Sequence, residues 1–142
     1  MRGRIVAAVI VAAAIVALRT PSAQSSRSVW DGVYTEQQAA RGESFFMQSC
    51  ARCHRPDLAG GDEVPPLSGP LFLSNWNGLT VGDLLERIRI SMPPDDPTRL
   101  GRQQKADIVA YLLRFNKFPQ GDTELARESQ ALKEIQFQAS KP

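Results

Sequence analysis

The feature that most constrains this chain is the pentapeptide Cys50-Ala51-Arg52-Cys53-His54. It holds both cysteines and the one histidine of the 142 residues. A structural zinc site takes four such ligands, and the chain has three. A disulfide between the two cysteines would close a very short loop, stabilise little and leave the histidine unexplained. A thioredoxin-like dithiol has the same spacing but accompanies a βαβ pattern that this sequence lacks.

The same spacing is the attachment motif of haem c. Two cysteines one helical turn apart can each bond one vinyl group of a porphyrin, and the residue that follows can offer its imidazole to the iron. We therefore expect one covalent haem c with its iron, with Cys50 and Cys53 as the attachment residues and His54 as an iron ligand.

Methionine is the first candidate for an iron ligand on the opposite face. Met1 belongs to the leader, and Met47 lies one turn before Cys50 on the same predicted helix, where it cannot reach across the ring. Met92 remains, and Pro93-Pro94 after it stiffens the backbone. The alternative is that Met92 fills a gap in the core.

Thioether ligation has a functional consequence. It favours reduced iron and leaves no open coordination position for a substrate. We therefore expect an electron-transfer protein and not an enzyme.

The rest of the sequence predicts an all-α fold, with three main helices around the haem and long ordered loops. Aromatic residues are sparse and no alternating β-branched run follows the first twenty positions. The expected helices are Glu36 to Ala51, Val81 to Ile90 and Gly101 to Phe115, the first two capped by Thr35 and Thr80. Glycine and proline recur from Arg55 to Asn77, which predicts a long loop there.

The third predicted helix has an apolar face formed by Ile108, Tyr111, Leu112 and Phe115. On this pattern Lys105 and Asp107 are expected to face solvent.

The first residues have the pattern of an export signal. Met1-Arg2-Gly3-Arg4 is basic, Ile5 to Leu18 is apolar, and Ser22-Ala23 offers small residues for cleavage. The apolar run is shorter than the ~20 residues that span a bilayer. A cleaved signal is therefore favoured, and the two weaker alternatives are an uncleaved membrane anchor and a buried helix. Without the three arginines of residues 1–23, fourteen basic and fifteen acidic residues remain. This balance gives no electrostatic case for binding nucleic acid.

With these motifs together, the chain resembles the class I mono-haem cytochrome c family from about Thr35 to Asn116. The resemblance is carried by Gly42, Phe46 and Cys50 of the first helix, by Asp107 to Leu112 of the last, by Pro65-Pro66-Leu67-Ser68-Gly69 and by Ser91-Met92-Pro93. It implies that Ile108 and Tyr111 pack near Gly42, that the carbonyl of Pro65 accepts a hydrogen bond from the His54 ring, and that Met92 is the distal ligand.

A looser likeness concerns the partner. Residues 76–80, 116–119 and 124–125 resemble bacterial periplasmic members that accompany quinoprotein dehydrogenases. Trp76 and Asn75 could bind haem propionates or simply pack. Arg52, Arg55 and Arg89 could meet propionates or an acidic partner, or be solvated.

The expected organisation is a signal peptide (1–23), an N-terminal extension (24–34), a cytochrome c domain (35–119) and a tail (120–142) that packs on or near the domain. The expected function is that of a periplasmic single-electron carrier. Its partners would be redox proteins, a dehydrogenase or a terminal oxidase, with no stable membrane insertion after signal cleavage. The alternatives are a haem-based sensor or binder of small ligands, and a non-diffusing cytochrome subunit of an oxidoreductase complex.

Overall fold

The computed structural model describes residues 27–142. The predicted signal peptide and the first residues of the predicted extension lie outside this range. Within it, the chain forms six helices and two short strands: α1 (Glu36–Ser49), α2 (Ala51–His54), α3 (Gly69–Trp76), α4 (Val81–Ser91), α5 (Arg102–Phe115), α6 (Ser129–Leu132), β1 (Arg27–Ser28) and β2 (Ile135–Gln136). The predicted all-α class is confirmed. Among these residues, no helix has both the length and the apolar character needed to cross a bilayer.

Both predicted helix caps are present, but the reciprocal hydrogen bonds of a capping box are complete only at α4. Thr80 and Asp83 form a complete capping box at the start of α4, with the Asp83 N–H donating to Thr80 Oγ1 at 3.1 Å and the Thr80 N–H to Asp83 Oδ2 at 3.0 Å. At α1, Thr35 Oγ1 accepts from the Gln38 N–H at 3.1 Å. The Gln38 side chain does not return to Thr35, because it hydrogen-bonds to the backbone of Leu125 instead.

The prediction of one irregular loop from Arg55 to Asn77 was wrong over α3. A Gly-Pro pair often breaks a helix, but Gly69-Pro70 begins one here, with the proline in the first turn, where the helix needs no N–H from it. The first predicted helix also divides: α1 ends at Ser49, Cys50 has a φ of −120°, and α2 follows.

Helices α1 and α5 cross closely at Gly42. A Cβ on Gly42 would lie 1.8 Å from the carbonyl oxygen of Asp107 and 2.9 Å from the amide nitrogen of Ile108. Next to this contact, the rings of Phe46 and Tyr111 pack with centroids 5.3 Å apart. The expected packing of the last main helix against Gly42 is confirmed.

The prediction that Lys105 and Asp107 face solvent was wrong, since both are 2% exposed. The Asp107 carboxylate accepts hydrogen bonds from Arg41, Gln38 and Gln103. Helix α5 is buried on more than its apolar face because α1 and α4 both pack against it, and the polar side chains there are paired within the fold.

The tail packs on the helices. Four of its apolar side chains are buried: Leu125, Leu132, Ile135 and Phe137. The Phe137 ring contacts those of Phe118 and Phe72, with centroids 5.3 and 5.9 Å apart. Its N–H donates to the Leu79 carbonyl at 2.8 Å, which fixes the tail beside the start of α4.

Candidate functional site

Both cysteines of the pentapeptide lie at the junction of α1 and α2. The N–H groups of Cys53 and His54 donate to the Cys50 carbonyl at 3.1 and 2.9 Å, so the motif is a single helical turn. Both thiols are free, with Cys50 half-buried and Cys53 exposed. Burial, followed by the neighbouring Cys53, raises the pKa of the Cys50 thiol to about 11. A redox dithiol needs a thiol of lowered pKa, so the site does not favour thioredoxin-like chemistry.

The imidazole of His54 is buried and oriented. Its Nδ1 lies 3.1 Å from the carbonyl oxygen of Pro65. A carbonyl oxygen can only accept, so Nδ1 carries the proton and Nε2 carries the lone pair. Burial lowers the pKa of His54, against the opposite influence of the Pro65 carbonyl. The ring is therefore neutral at pH 7, with Nε2 able to bind a metal.

The loop after the motif brings Pro65 back to His54. The Gly60 N–H donates to the His54 carbonyl at 3.1 Å, and the Leu67 N–H donates to the Leu58 carbonyl at 2.8 Å. Gly60 has a φ of +70°, and a Cβ there would lie 2.2 Å from the Val64 carbonyl oxygen. A glycine is needed at this position because the chain doubles back on itself. The hydrogen bond implied by the resemblance is present for this reason.

Asn116, at the end of α5, holds the same loop from the other side. Its Nδ2 donates to the Leu67 carbonyl at 3.0 Å and its Oδ1 accepts from the Gly69 N–H at 3.1 Å. Its part in positioning the Pro65 loop was not predicted from the sequence. A side chain with both a donor and an acceptor at a helix end is the available signal, but it does not identify the loop to which the side chain binds.

Met92 lies at the end of α4, where its N–H donates to the Ile88 carbonyl at 3.0 Å. Its side chain is half-buried, whereas Met47 on α1 is 40% exposed. The segment that follows Met92 approaches the cysteine motif, since Arg52 Nη2 lies 3.8 Å from Asp95 Oδ2. The fold thus brings the pentapeptide, the Pro65 loop and the segment that follows Met92 into one region.

The remaining candidates have ordinary environments. Trp76 packs on Phe72 with ring centroids 6.3 Å apart, and Asn75 is exposed. All three candidate arginines pair with nearby carboxylates: Arg52 with Asp95 at 3.8 Å, Arg55 with Asp57 at 3.2 Å and Arg89 with Glu86 at 2.6 Å.

The donor set fits a covalent haem better than a bare metal ion. Across residues 27–142, no three histidine, cysteine, aspartate or glutamate side chains are grouped as a metal ion would require. Two free thiols can add to vinyl groups, and a neutral imidazole and a thioether are ligands that iron accepts in a porphyrin. Cys50, Cys53, His54 and Met92 supply these groups.

Comparison with known proteins identifies a family. The sequence model described as cytochrome c oxidase, cbb3-type, subunit III matches residues 37–112, more than half of the chain. The matched range contains the pentapeptide, Pro65 and Met92. No curated protein sequence matches the chain.

One similar solved structure is the sulfane dehydrogenase SoxCD from Paracoccus pantotrophus. The TM-score is 0.50 and the sequence identity 20%, over 76% of this chain and 61% of that chain. This likeness concerns the fold, and it extends over less than two-thirds of the SoxCD chain.

Proposed function

Since the chain belongs to the family of cytochrome c oxidase, cbb3-type, subunit III, and is a c-type cytochrome with covalently bound haem c, we propose that it is an exported single-electron carrier. The haem is attached through Cys50 and Cys53 and ligated by His54 and Met92. The observation that carries the proposal is the pentapeptide in one helical turn, with its histidine oriented by Pro65. The bound haem supplies a one-electron couple at its iron.

His54 is the proximal ligand in this proposal. The hydrogen bond from Nδ1 to the Pro65 carbonyl selects the tautomer whose Nε2 lone pair faces away from the loop. Such a bond also raises the basicity of the ligand and fixes the ring orientation. The loop and Asn116 hold the carbonyl in place, so this part of the site is organised by the protein itself.

Met92 is the distal ligand. Its place at the end of α4, with a half-buried side chain and a following segment beside the cysteine motif, supports this role. Thioether ligation raises the reduction potential, which suits a carrier that accepts electrons from a dehydrogenase or passes them to a terminal oxidase. Export to the periplasm is supported by the basic and apolar leader of residues 1–18.

Replacing the proposed ligand tests the function. We expect Met92→Ala to lower the midpoint potential by a large margin and to let carbon monoxide bind the reduced protein, because the thioether no longer stabilises Fe(II) or fills the position. Met47→Ala is the matched control, since that methionine is exposed on α1. Potentiometric titration followed by optical spectra measures both effects.

Two results would contradict the assignment. An unchanged potential in Met92→Ala would show that Met92 is not a ligand. A wild-type protein that binds carbon monoxide readily would favour the sensor or ligand-binder alternative.

A second candidate function is that of a fixed subunit. The matching family is described as a subunit of an oxidase, which favours this alternative over a sensor. Purification of the tagged protein from its native host under mild conditions distinguishes the two. A carrier elutes as a small free protein and reduces soluble acceptors quickly, whereas a subunit elutes with a dehydrogenase or oxidase and reduces them slowly.

A further inference from the structure

The buried ammonium of Lys105 binds the backbone on both sides of Met92. Its Nζ donates to the carbonyl oxygen of Arg89 at 3.1 Å and to that of Pro97 at 2.5 Å. Arg89 lies three residues before Met92, in the last turn of α4, and Pro97 lies five residues after it. One side chain on α5 therefore joins the two ends of the segment 89–97.

Proline explains why the Arg89 carbonyl needs this donor. In an α-helix the carbonyl of residue 89 accepts from the N–H of residue 93. Residue 93 is a proline, which has no N–H. A buried carbonyl without a donor is unfavourable, and Lys105 supplies the donor that Pro93 lacks.

Burying the ammonium charge of Lys105 at this position is energetically unfavourable. Lys105 is 2% exposed and, among the ion pairs of residues 27–142, none involves it. Burial lowers its pKa. An apolar side chain would avoid this cost, so the two hydrogen bonds are what the lysine contributes.

We propose that Lys105 is a positioning residue that holds the segment 89–97 against α5 and thereby keeps the Met92 thioether on the iron. This inference rests on the proposed ligation by Met92. The other hydrogen bonds of the segment are local, such as that from the Asp96 N–H to the Pro93 carbonyl at 3.2 Å, and do not link it to α5. Without Lys105 the segment loses its anchors at both ends, and the ligand dissociates more readily.

The test compares Lys105→Met with Lys141→Met in the haem-loaded full chain. Lys141 is exposed near the C-terminus, so its substitution removes one lysine charge without touching the segment. The probe is imidazole, which competes with the thioether on oxidised iron. We expect Lys105→Met to bind imidazole about ten- to a hundredfold more tightly. A hydrogen bond to a charged group favours the state in which Met92 is bound to the iron by about this factor.

The midpoint potential should fall in the same variant, because a weaker thioether bond favours Fe(II) less. A lysine that only stabilises the fold would lower the urea midpoint and leave the potential and the imidazole affinity of the folded protein unchanged. Unchanged affinity and potential in Lys105→Met would overturn the proposal.

A measurement on the wild-type protein covers the case in which Lys105→Met does not accumulate. Trace acetylation followed by mass spectrometry should show Lys105 reacting far more slowly than Lys141. Because coupling between two sites is reciprocal, saturating imidazole should speed the acetylation of Lys105 and not that of Lys141. Equal rates with and without imidazole would refute the coupling.

The two proposals fail in different ways. If Met92→Ala leaves the midpoint potential unchanged, both the ligation by Met92 and the positioning role of Lys105 are refuted. If Met92→Ala lowers the midpoint potential but Lys105→Met behaves like the wild type, only the positioning role of Lys105 is refuted.

Discussion

At the scale of single residues, the site is set by which polar groups find partners inside the fold. The covalent haem c could be predicted from the spacing of Cys50, Cys53 and His54, because an attachment motif depends on spacing along the chain. The environment of Lys105 could not, because its partners, the carbonyls of Arg89 and Pro97, belong to other elements. The helical spacing of the apolar residues predicted an exposed Lys105. In the structure, contacts with the end of α4 and with the segment after it bury the side chain.

Tyr34 shows how a single buried group makes stability depend on pH. It is 1% exposed, and its hydroxyl donates to the Phe118 carbonyl at 2.7 Å. Burial, assisted by Glu36, raises its pKa from 10 to about 12. Above pH 10 the unfolded chain loses the phenolic proton while the folded chain keeps it, so the contribution of Tyr34 falls as the pH rises from 10 to 12.

We therefore expect Tyr34→Phe to cost about 1–3 kcal/mol below pH 10, because the Phe118 carbonyl is left without its donor. The difference from the wild type should shrink between pH 10 and 12. Urea unfolding of both proteins across this range measures it, and titrations elsewhere in the chain cancel in the comparison. A difference that stays constant up to pH 12 would show that Tyr34 titrates alike in both states.

At the scale of elements, the sequence predicted the three long helices and the N-terminal caps of the first two, Thr35 and Thr80. Local signals suffice for this, as the Thr80 and Asp83 capping box at α4 shows. Helix α3 was not predicted because a Gly-Pro pair such as Gly69-Pro70 is equally typical of a helix break and of the first turn of a helix. The choice between these is made by distant contacts, among them the hydrogen bond from the Gly69 N–H to Asn116.

The crossing of α1 and α5 depends on one missing side chain. We expect Gly42→Ala to destabilise the protein by about 3 kcal/mol or more, because the new methyl group would overlap the Asp107 backbone and force the helices apart. Gly61→Ala is the control: a Cβ there meets nothing within 4 Å, and the change should stay within about 1 kcal/mol. Thermal unfolding of the haem-loaded proteins compares them, and equal losses would contradict the role assigned to Gly42.

At the scale of the whole molecule, the two ends of the described chain pack together. Strand β1 pairs in parallel with β2, with Arg27 opposite Ile135. Trp30 packs on Phe118 with ring centroids 4.8 Å apart, and its indole N–H donates to the Gln138 carbonyl at 3.0 Å. The apolar residues of the tail indicated that it folds back. The pairing with β1 could not be foreseen, because two-residue strands leave no periodic signal.

In this arrangement the tail packs on α4, and the cysteine motif, the Pro65 loop and the segment after Met92 lie in one region. The tail and the residues before α1 thus support the helices that carry the site. The function of the whole molecule still depends on one chemical claim, the attachment and ligation of a single haem.

The most direct test of that claim is the optical spectrum of the exported wild-type protein in both redox states, before and after extraction with acidified organic solvent. We expect a c-type spectrum that stays with the polypeptide, since thioether bonds to Cys50 and Cys53 resist extraction, and a reduced form that carbon monoxide does not change. Haem that leaves with the solvent would contradict the attachment, and a reduced spectrum shifted by carbon monoxide would contradict ligation by Met92.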